Sequence, residues 1–307
     1  MAKSNKKSTL VYRTDLVNVG IGQGQKQSVP YLSSMTEFDA EGRVVVHSTY
    51  SPEGILLERI ETGYDTGGRI IRESYYVEEE APTEEKSYEY NEEGKLEREV
   101  KHYADGSSDI TSYQYDAAGI LLEKITADDE EEVDAVEKFD YRENKLTRHE
   151  ITDAEGNRLL LEEFDYDVKG NLISHIRDDE EAGEYYKMVF KYNEEGQKIA
   201  EMLHNDEDEL VETTWFEMDD KGRIVQTVEE SSFSRKVKNF SFDDRGNALG
   251  YEETDGKGDK VVVIEHLYDP ANNPVSSMVF VNGSGRSAGQ HYELRYEYEW
   301  YGQAGKD

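Results

Sequence analysis

The chain contains no cysteine. That excludes a disulfide framework, a thiol nucleophile and any cysteinyl metal site. No apolar run approaches the roughly 18 residues that a membrane-spanning helix requires. Nowhere does a 3.6-residue apolar period persist beyond two turns, so no helix is expected. Hydrophobic residues make up only 36 % of the 307, while 34 % are charged. Basic residues are in short supply, with 35 Lys and Arg against 69 Asp and Glu and a formal net charge of -34. A polyanion gains nothing from phosphate backbones, so nucleic-acid and anionic-membrane partners are not expected. The start, "MAKSNKKSTLVYR", is basic but has no apolar stretch behind it, so no secretion signal is visible. The cytoplasm is the default location, and a secreted or surface location is the alternative if a signal has been removed.

Aromatic residues, by contrast, are plentiful: 22 Tyr, 9 Phe and 2 Trp. Disordered acidic chains rarely carry so many, so the expectation is a folded protein with little interior per residue. The aromatics also recur. "YEYNEEGKLEREV" at Tyr88 to Val100 is followed by "YQYDAAGILLEKI" at Tyr113 to Ile125. Further copies place an aromatic or apolar residue, then Asp or Asn, then Gly, at Phe38-Asp39…Gly42, Tyr64-Asp65…Gly68, Tyr166-Asp167…Gly170 and Tyr192-Asn193…Gly196. Met218-Asp219…Gly222 and Phe242-Asp243…Gly246 continue the series, with Asn144 and Asn272 standing in for Gly in two degenerate copies. Successive turn residues are 26, 26, 25, 25, 26, 26, 26, 24 and 26 positions apart.

Each unit reads as a hairpin. Asp or Asn opens a type I turn by bonding its own backbone two residues on, and Gly takes the left-handed position behind it. Asn is the next most tolerant residue there. Alternating stretches such as Phe164-Asp165-Tyr166 and Leu96 to Val100 mark strands on either side. A second turn falls about 12 residues after the first, at Gly54, Gly106, Gly156 and Gly183 or at acidic runs. The expected fold class is all-β: an extended or spiralling antiparallel sheet of about ten tandem hairpin repeats, a β-solenoid in general kind. Residues 1–34 read as a basic N-terminal arm, 35–274 as the repeat array and 275–307 as a capping hairpin that protects an open edge. The arm carries Lys3, Lys6, Lys7, Arg13 and Lys26 against Asp15.

The Tyr-Asp-x-x-Gly pattern at Tyr115-Asp116-Ala117-Ala118-Gly119 and Tyr166-Asp167-Val168-Lys169-Gly170 resembles bacterial RHS/YD repeats. The resemblance covers roughly residues 35 to 274. It implies hairpin sheets that spiral and, in large toxins of the family, enclose a shell. The longer shell, self-cleaving core and toxin tip of those toxins have no counterpart here, and these repeats are more acidic. Small proteins of this kind include antitoxin or immunity-like and surface proteins.

Few motifs carry chemistry. "GIGQGQ" at Gly20 to Gln25 lacks the strand-loop-helix context of a phosphate loop. Gly285-Arg286-Ser287-Ala288-Gly289 matches G-x-S-x-G, but a strand follows where a hydrolase needs a helix. His47, His149 and His175 each stand five residues after a turn residue. His149 and His175 fall in neighbouring units and share a face, yet equivalent strands of adjacent hairpins lie about 10 Å apart, too far for a shared metal ion. No cofactor and no metal are expected.

Acidic runs occupy the second-turn register at Glu78–Glu80, Asp128–Glu132, Asp178–Glu181 and Asp206–Glu209. They read as solvated loops or as a docking edge for a basic partner, and none has calcium-loop spacing. Candidate contact residues are Asp128, Asp129, Glu130, Asp178, Asp179, Asp206 and Asp208, with the tyrosine pairs Tyr75-Tyr76 and Tyr185-Tyr186. Each pair presents one ring to each face of a strand. The functional expectation is a non-enzymatic protein-binding or scaffold protein, its sharpest form an immunity or chaperone-like partner of a cationic bacterial effector. The alternatives are a structural component of a bacterial surface or secretion assembly, and a carbohydrate-binding or glycan-active protein.

Overall fold

The computed structural model describes residues 6–18, 25–78, 81–283 and 288–302. In chain order, the first strands are β1 (Lys6–Asn18), β2 (Gln25–Gln27), β3 (Tyr31–Phe38), β4 (Val44–Tyr50), β5 (Leu56–Tyr64), β6 (Ile70–Val77) and β7 (Glu84–Tyr90). Then come β8 (Leu96–Tyr103), β9 (Ser108–Tyr115), β10 (Leu121–Asp128), β11 (Val133–Arg142), β12 (Lys145–Asp153), β13 (Arg158–Tyr166), β14 (Leu172–Asp179) and β15 (Glu184–Tyr192). The last are β16 (Lys198–His204), β17 (Leu210–Met218), β18 (Ile224–Ser231), β19 (Arg235–Phe242), β20 (Ala248–Thr254), β21 (Lys260–Tyr268), β22 (Pro274–Val281) and β23 (Gln290–Trp300).

The chain divides into two compact units, one comprising Met1–Glu85 with Lys238–Asp307 and the other Lys86–Val237. In the second, β8 to β18 form an antiparallel meander in which each strand pairs with the next. In the first, β3 to β6 and β20 to β23 are meanders of the same kind. β1 begins the meander, and its pairing with β23 is the one that joins strands distant in the chain. β1 lies between β3 and β23 and is antiparallel to both. The three-residue β2 pairs with the end of β1.

The pairing of β1 with β23 overturns the expected architecture. The sheet is a closed antiparallel barrel of 22 strands, neither an extended or spiralling array of about ten hairpin repeats nor a β-solenoid. Residues 6–18 of the basic arm are a stave of the sheet, and β23 is paired on both flanks. An array of sequence-adjacent hairpins predicts two free edges. No local signal in the sequence reports that a strand from one end will pair with strands from both.

The turns follow the chemistry of their residues. At Asp65, the backbone N–H donates to the carbonyl of Arg69 at 2.9 Å, and the N–H of Gly68 donates back to the Asp65 carbonyl at 3.0 Å. Oδ1 of Asp65 accepts from the N–H groups of Gly67 and Arg69 at 2.8 and 2.9 Å, and Oδ2 accepts from Nε of Arg69 at 2.7 Å. The backbone N–H of Arg69, then its guanidinium, hold the Asp65 carboxyl below the ordinary range. Gly68 has φ +88°, a value that costs an L-residue roughly 1–2 kcal/mol. Asn144 and Asn272 take the same region at φ +61° and +73°.

The repeated tyrosines do more than pack. Tyr64 Oη donates to the carbonyl of Val44 at 2.8 Å, two residues beyond the last registered pair of β4 and β5, Val46 with Glu61. Tyr115, Tyr166, Tyr192 and Tyr268 do the same to Leu96, Leu146, Leu172 and Ala248 at 2.8, 2.9, 2.8 and 3.1 Å. In every case the target carbonyl lies two residues beyond the end of the ladder between adjacent hairpins. The phenol thus satisfies an acceptor that the strand pairing leaves over. Burial pushes the ionisation of Tyr166 and Tyr192 up, so both remain donors.

The core is thin. Among the described residues, the buried apolar side chains are Val100, Leu160, Ala200 and Val279, and they are outnumbered by buried Ser and Thr. Stability must therefore come largely from backbone ladders and same-face neighbours. Replacing Tyr192 by Phe is expected to cost about 1 kcal/mol, the net worth of one neutral hydrogen bond, read as a lower urea midpoint with an unchanged slope. A midpoint equal to that of the parent would show that the Leu172 carbonyl needs no protein donor.

Candidate functional site

One face of the unit spanning Lys86–Val237 carries a continuous row of polar side chains. The register places Tyr113 opposite Lys124 and Lys124 opposite Glu137. On the next strands, His149 is opposite Glu162, and Glu162 is opposite Arg177. Contacts follow that register. Tyr113 Oη donates to Glu99 at 3.0 Å, and Lys124 Nζ meets Glu137 at 3.0 Å. His149 bridges two carboxylates, with Nε2 3.3 Å from Glu137 and Nδ1 2.9 Å from Glu162. Glu162 also receives His175 Nε2 at 3.0 Å and Arg177 Nη1 at 3.4 Å. The row ends where Arg177 meets Asp179 at 2.7 Å.

Two aromatic stacks hold the imidazoles in place. Phe139 lies parallel to His149 and Phe164 parallel to His175, each pair with ring centroids 4.6 Å apart. Tyr186 meets His175 edge-on. The stacking orients the ring nitrogens along the sheet, toward the carboxylates on neighbouring strands. The Glu137 carboxylate, and with it Glu162, holds His149 above its ordinary value against the opposing effect of burial. Its hydrogen bond to His149, with Lys124 beside it, keeps Glu137 below the usual carboxylate range. Burial pushes Glu162 up, but the two histidines outweigh it and the carboxyl is held low. Along the row, Lys124, His149 and Arg177 alternate with Glu137, Glu162 and Asp179, each within ion-pair distance of the next.

His149 and His175 do share a face, as their register implies. What connects them is Glu162 on the strand between, a residue that inspection of the histidines alone overlooks. Its signal is positional: Glu137 and Glu162 each stand four residues before a turn tyrosine, Tyr141 and Tyr166. Among the described residues, no group of three or more His, Asp and Glu side chains is arranged to hold a metal ion. Gly20 to Gly24, Gly285 to Ser287, Glu79 and Glu80 lie outside the described residues.

The tyrosine pairs split between the faces. Tyr76 lies under the Arg59 guanidinium at 4.0 Å and donates to Glu61 at 3.2 Å, while Tyr75 donates to Glu73 at 3.3 Å. Tyr186 joins the polar row, and Tyr185, on the other face opposite Asp178, is exposed. Several candidate acids are already engaged. Asp128 Oδ1 accepts the N–H groups of Glu130 and Glu132, making it a turn former. Asp178 and Glu180 pair with Arg158, and Asp208 with Lys187. Asp129, Glu130 and Asp206 form no ion pair among the described residues and are exposed.

Within this unit the two ends of the strands differ in charge. The loops 103–107, 128–132, 153–157, 179–183 and 205–209 contain Asp or Glu in every case and no Lys or Arg. The sixth loop at that end, 231–234, is uncharged. The loops at the opposite end include Lys95, Arg142, Lys145, Lys169, Lys221 and Arg223 among their acids.

No protein-family model matches the chain, nor does any curated protein sequence. Among solved structures, it resembles a chain of the TcdB2-TccC3-Cdc42 crystal structure with a TM-score of 0.42 and 11 % identity, over 95 % of this chain and 20 % of that one. It thus spans about a fifth of that chain's length. A porin-like protein from Bacteroides uniformis ATCC 8492 gives a TM-score of 0.33 at 12 % identity, covering 97 % and 98 % of the two chains. Another, from Bacteroides vulgatus ATCC 8482, gives 0.27 at 9 %, covering 83 % and 97 %. Membership of the RHS/YD family is not shown.

The raised His149 gives a definite pH dependence. The stability that its imidazolium contributes is fully present below the ordinary value of about 6.5 and is lost as pH rises through the higher folded value. Relative to the parent, His149→Gln should therefore lose most near pH 6, about 1.5 kcal/mol, and progressively less toward pH 9. Urea melts at three pH values measure this, and a gap that widens with pH would contradict the ionic bridge.

Proposed function

We propose that this protein is a non-enzymatic protein-binding scaffold that engages a cationic protein through the loop end formed by residues 103–107, 128–132, 153–157, 179–183 and 205–209. The observation that carries the reading is the asymmetry within the Lys86–Val237 unit, where one set of loops has acids without a base and the other has both. Random acidic composition would distribute charge over both ends. A one-sided field steers an oppositely charged partner and raises its association rate more than its final affinity. Asp129, Glu130 and Asp206 are the contact residues of choice, because their carboxylates are not committed within the fold. Tyr185, exposed on a strand that leads from loop 179–183, supplies apolar contact area beside them.

The sharpest form of the reading is an immunity or chaperone-like partner that neutralises a basic effector. The polar row around His149 does not argue for catalysis, because each carboxylate in it is already bound to a cation and no nucleophile lies within it. Both faces of the sheet carry ionised groups, for example Glu137 and Glu162 on one and the exposed Lys138, Asp140, Glu163 and Asp165 on the other. A lipid-facing strand surface would have to lose them, at about 2–4 kcal/mol for each basic residue at the bilayer midplane. Among the described residues no helix is long and apolar enough to cross a membrane, a fact that bears on helices and not on strands. A structural role in a larger assembly is the second reading, favoured by closure, since a sheet without free edges is suited to a durable wall.

The test is affinity capture of the tagged protein from its native host, at low and at physiological salt. A stoichiometric basic protein that is released by high salt is expected. The triple variant Asp129→Asn, Glu130→Gln, Asp206→Asn should weaken its capture by roughly tenfold, the equivalent of about 1.4 kcal/mol. Neutralising Glu92, Glu93 and Glu194 at the other end should leave it nearly unchanged. Equal losses from both variants, or recovery of the protein alone, would remove the reading.

A further inference from the structure

We infer, building on the cationic-partner reading, that an aromatic patch around Trp215 and Phe233 is the surface that selects among basic partners. Its occupant is a segment of a basic protein that carries aliphatic side chains between its Lys or Arg residues. The patch lies on the sheet face opposite the polar row, the face on which Tyr185 stands. There Val189 is opposite Met202, Ala200 is opposite Trp215, and Trp215 is opposite Val228. The result is an apolar surface across β15 to β18. Ala200 is fully buried and has no bulk with which to cover the indole, so Trp215 remains 46 % exposed.

The apolar surface runs on to the loop end. Leu210 and Val211 precede Glu212, which is opposite Ser231, so both lie alongside loop 231–234. Both are exposed, and Phe233 at the tip of that loop is 99 % exposed. The turn that displays it is held from within. Ser231 N–H donates to the Ser234 carbonyl at 2.9 Å, and Ser231 Oγ accepts from the N–H groups of Phe233 and Ser234 at 3.3 and 3.1 Å. The Phe233 ring buries almost no area in the fold and so adds little to its stability. Its backbone is nevertheless fixed before a partner arrives, which lowers the entropic cost of using the ring as an anchor.

Charge specifies what docks there. Loop 205–209, which leads into Leu210, contains Asp206, Glu207, Asp208 and Glu209 and no base. The nearby cations are engaged, Lys187 with Asp208 at 2.8 Å and Arg235 with Glu230 at 3.2 Å. Acids therefore line the margin of the patch at the loops, and the exposed Lys191 and Glu217 bound it on the far side. An aromatic centre within a charged rim is the arrangement in which a few desolvated rings carry most of the binding energy. A wholly basic segment would satisfy the acids and leave the rings in water. A wholly apolar one would cover the rings and desolvate carboxylates without pairing them. A segment with both kinds of side chain meets both needs.

The test uses the full chain and two synthetic peptides of equal length and charge, one alternating Lys with Leu and the other Lys with Ser. Affinities are measured by anisotropy of the labelled peptides at physiological salt. The parent should bind the Lys-Leu peptide roughly tenfold more tightly than the Lys-Ser peptide. Phe233→Ser, at a position too exposed to affect folding, should reduce that preference about threefold, and adding Trp215→Thr should abolish it. Affinity for the Lys-Ser peptide should not change in either variant. In a Trp300→Phe chain, Trp215 is the sole tryptophan, and its emission should shift to the blue with the Lys-Leu peptide alone. Equal affinity of the parent for both peptides, a leucine preference that survives both substitutions, or unchanged Trp215 emission on binding would each overturn the assignment. The cationic-partner reading is checked separately with the Lys-Ser peptide, whose binding should weaken in the Asp129→Asn, Glu130→Gln, Asp206→Asn variant. If it does not, that reading fails, while the leucine preference still reports on the patch.

Discussion

Two strands that run the same way cannot pair antiparallel, and the architecture turns on how that constraint is met. β3 and β23 are parallel to each other, and the single strand between them runs against both. With β1 in place, the backbone groups on the facing sides of β3 and β23 are used and neither is an edge. For a protein with so few fully buried apolar side chains, this matters more than it would in a packed globule. An edge in a thin sheet invites pairing with other chains, and little hydrophobic burial is available to offset its cost.

The same economy governs the hairpins. Most of the turn Asp and Asn residues use one side-chain oxygen to accept two backbone N–H groups of their own turn, and an Arg or Asn after the glycine often donates to the second oxygen. The turn tyrosine then reaches the neighbouring hairpin, at a carbonyl the ladder does not cover. Many residues that look like surface decoration in the sequence are therefore committed to backbone satisfaction. Ser74 and Ser277 are nearly inaccessible for a related reason: their hydroxyls bond to Glu85 and to His266 on adjacent strands. Polar ladders occupy positions that an apolar core would fill in a layered protein.

A large negative charge is compatible with this arrangement because much of it is paired at short range. The row from Lys124 to Asp179 alternates in sign, and Arg158 and Lys187 neutralise acids at the mouth of their loops. What is left over is concentrated at one end of the strands in the Lys86–Val237 unit. Charge that the fold does not use internally is the part available to a partner. For that reason the proposed contact set is Asp129, Glu130 and Asp206 in preference to Asp128, Asp179 or Asp208.

Local chemistry was legible directly. The 24–26-residue spacing placed the turns, Asn144 and Asn272 announced left-handed backbone, and the five-residue offset put His149 and His175 on one face. These features depend on residues within a few positions of one another, where steric and hydrogen-bonding preferences act without help from the rest of the chain. Glu162 as the bridge between the histidines was not legible, because its meaning depends on the register of two separate strand pairs. Closure was invisible for the same reason on a larger scale: β1 and β23 are almost the whole chain apart, and nothing in "KKSTLVYRTDLVN" names its partners. The sequence by itself determined the strands, the turns and the composition of each face. Only the tertiary structure decided that the sheet closes, because closure is a pairing between distant backbones and the identity of a distant partner is not written in local preference.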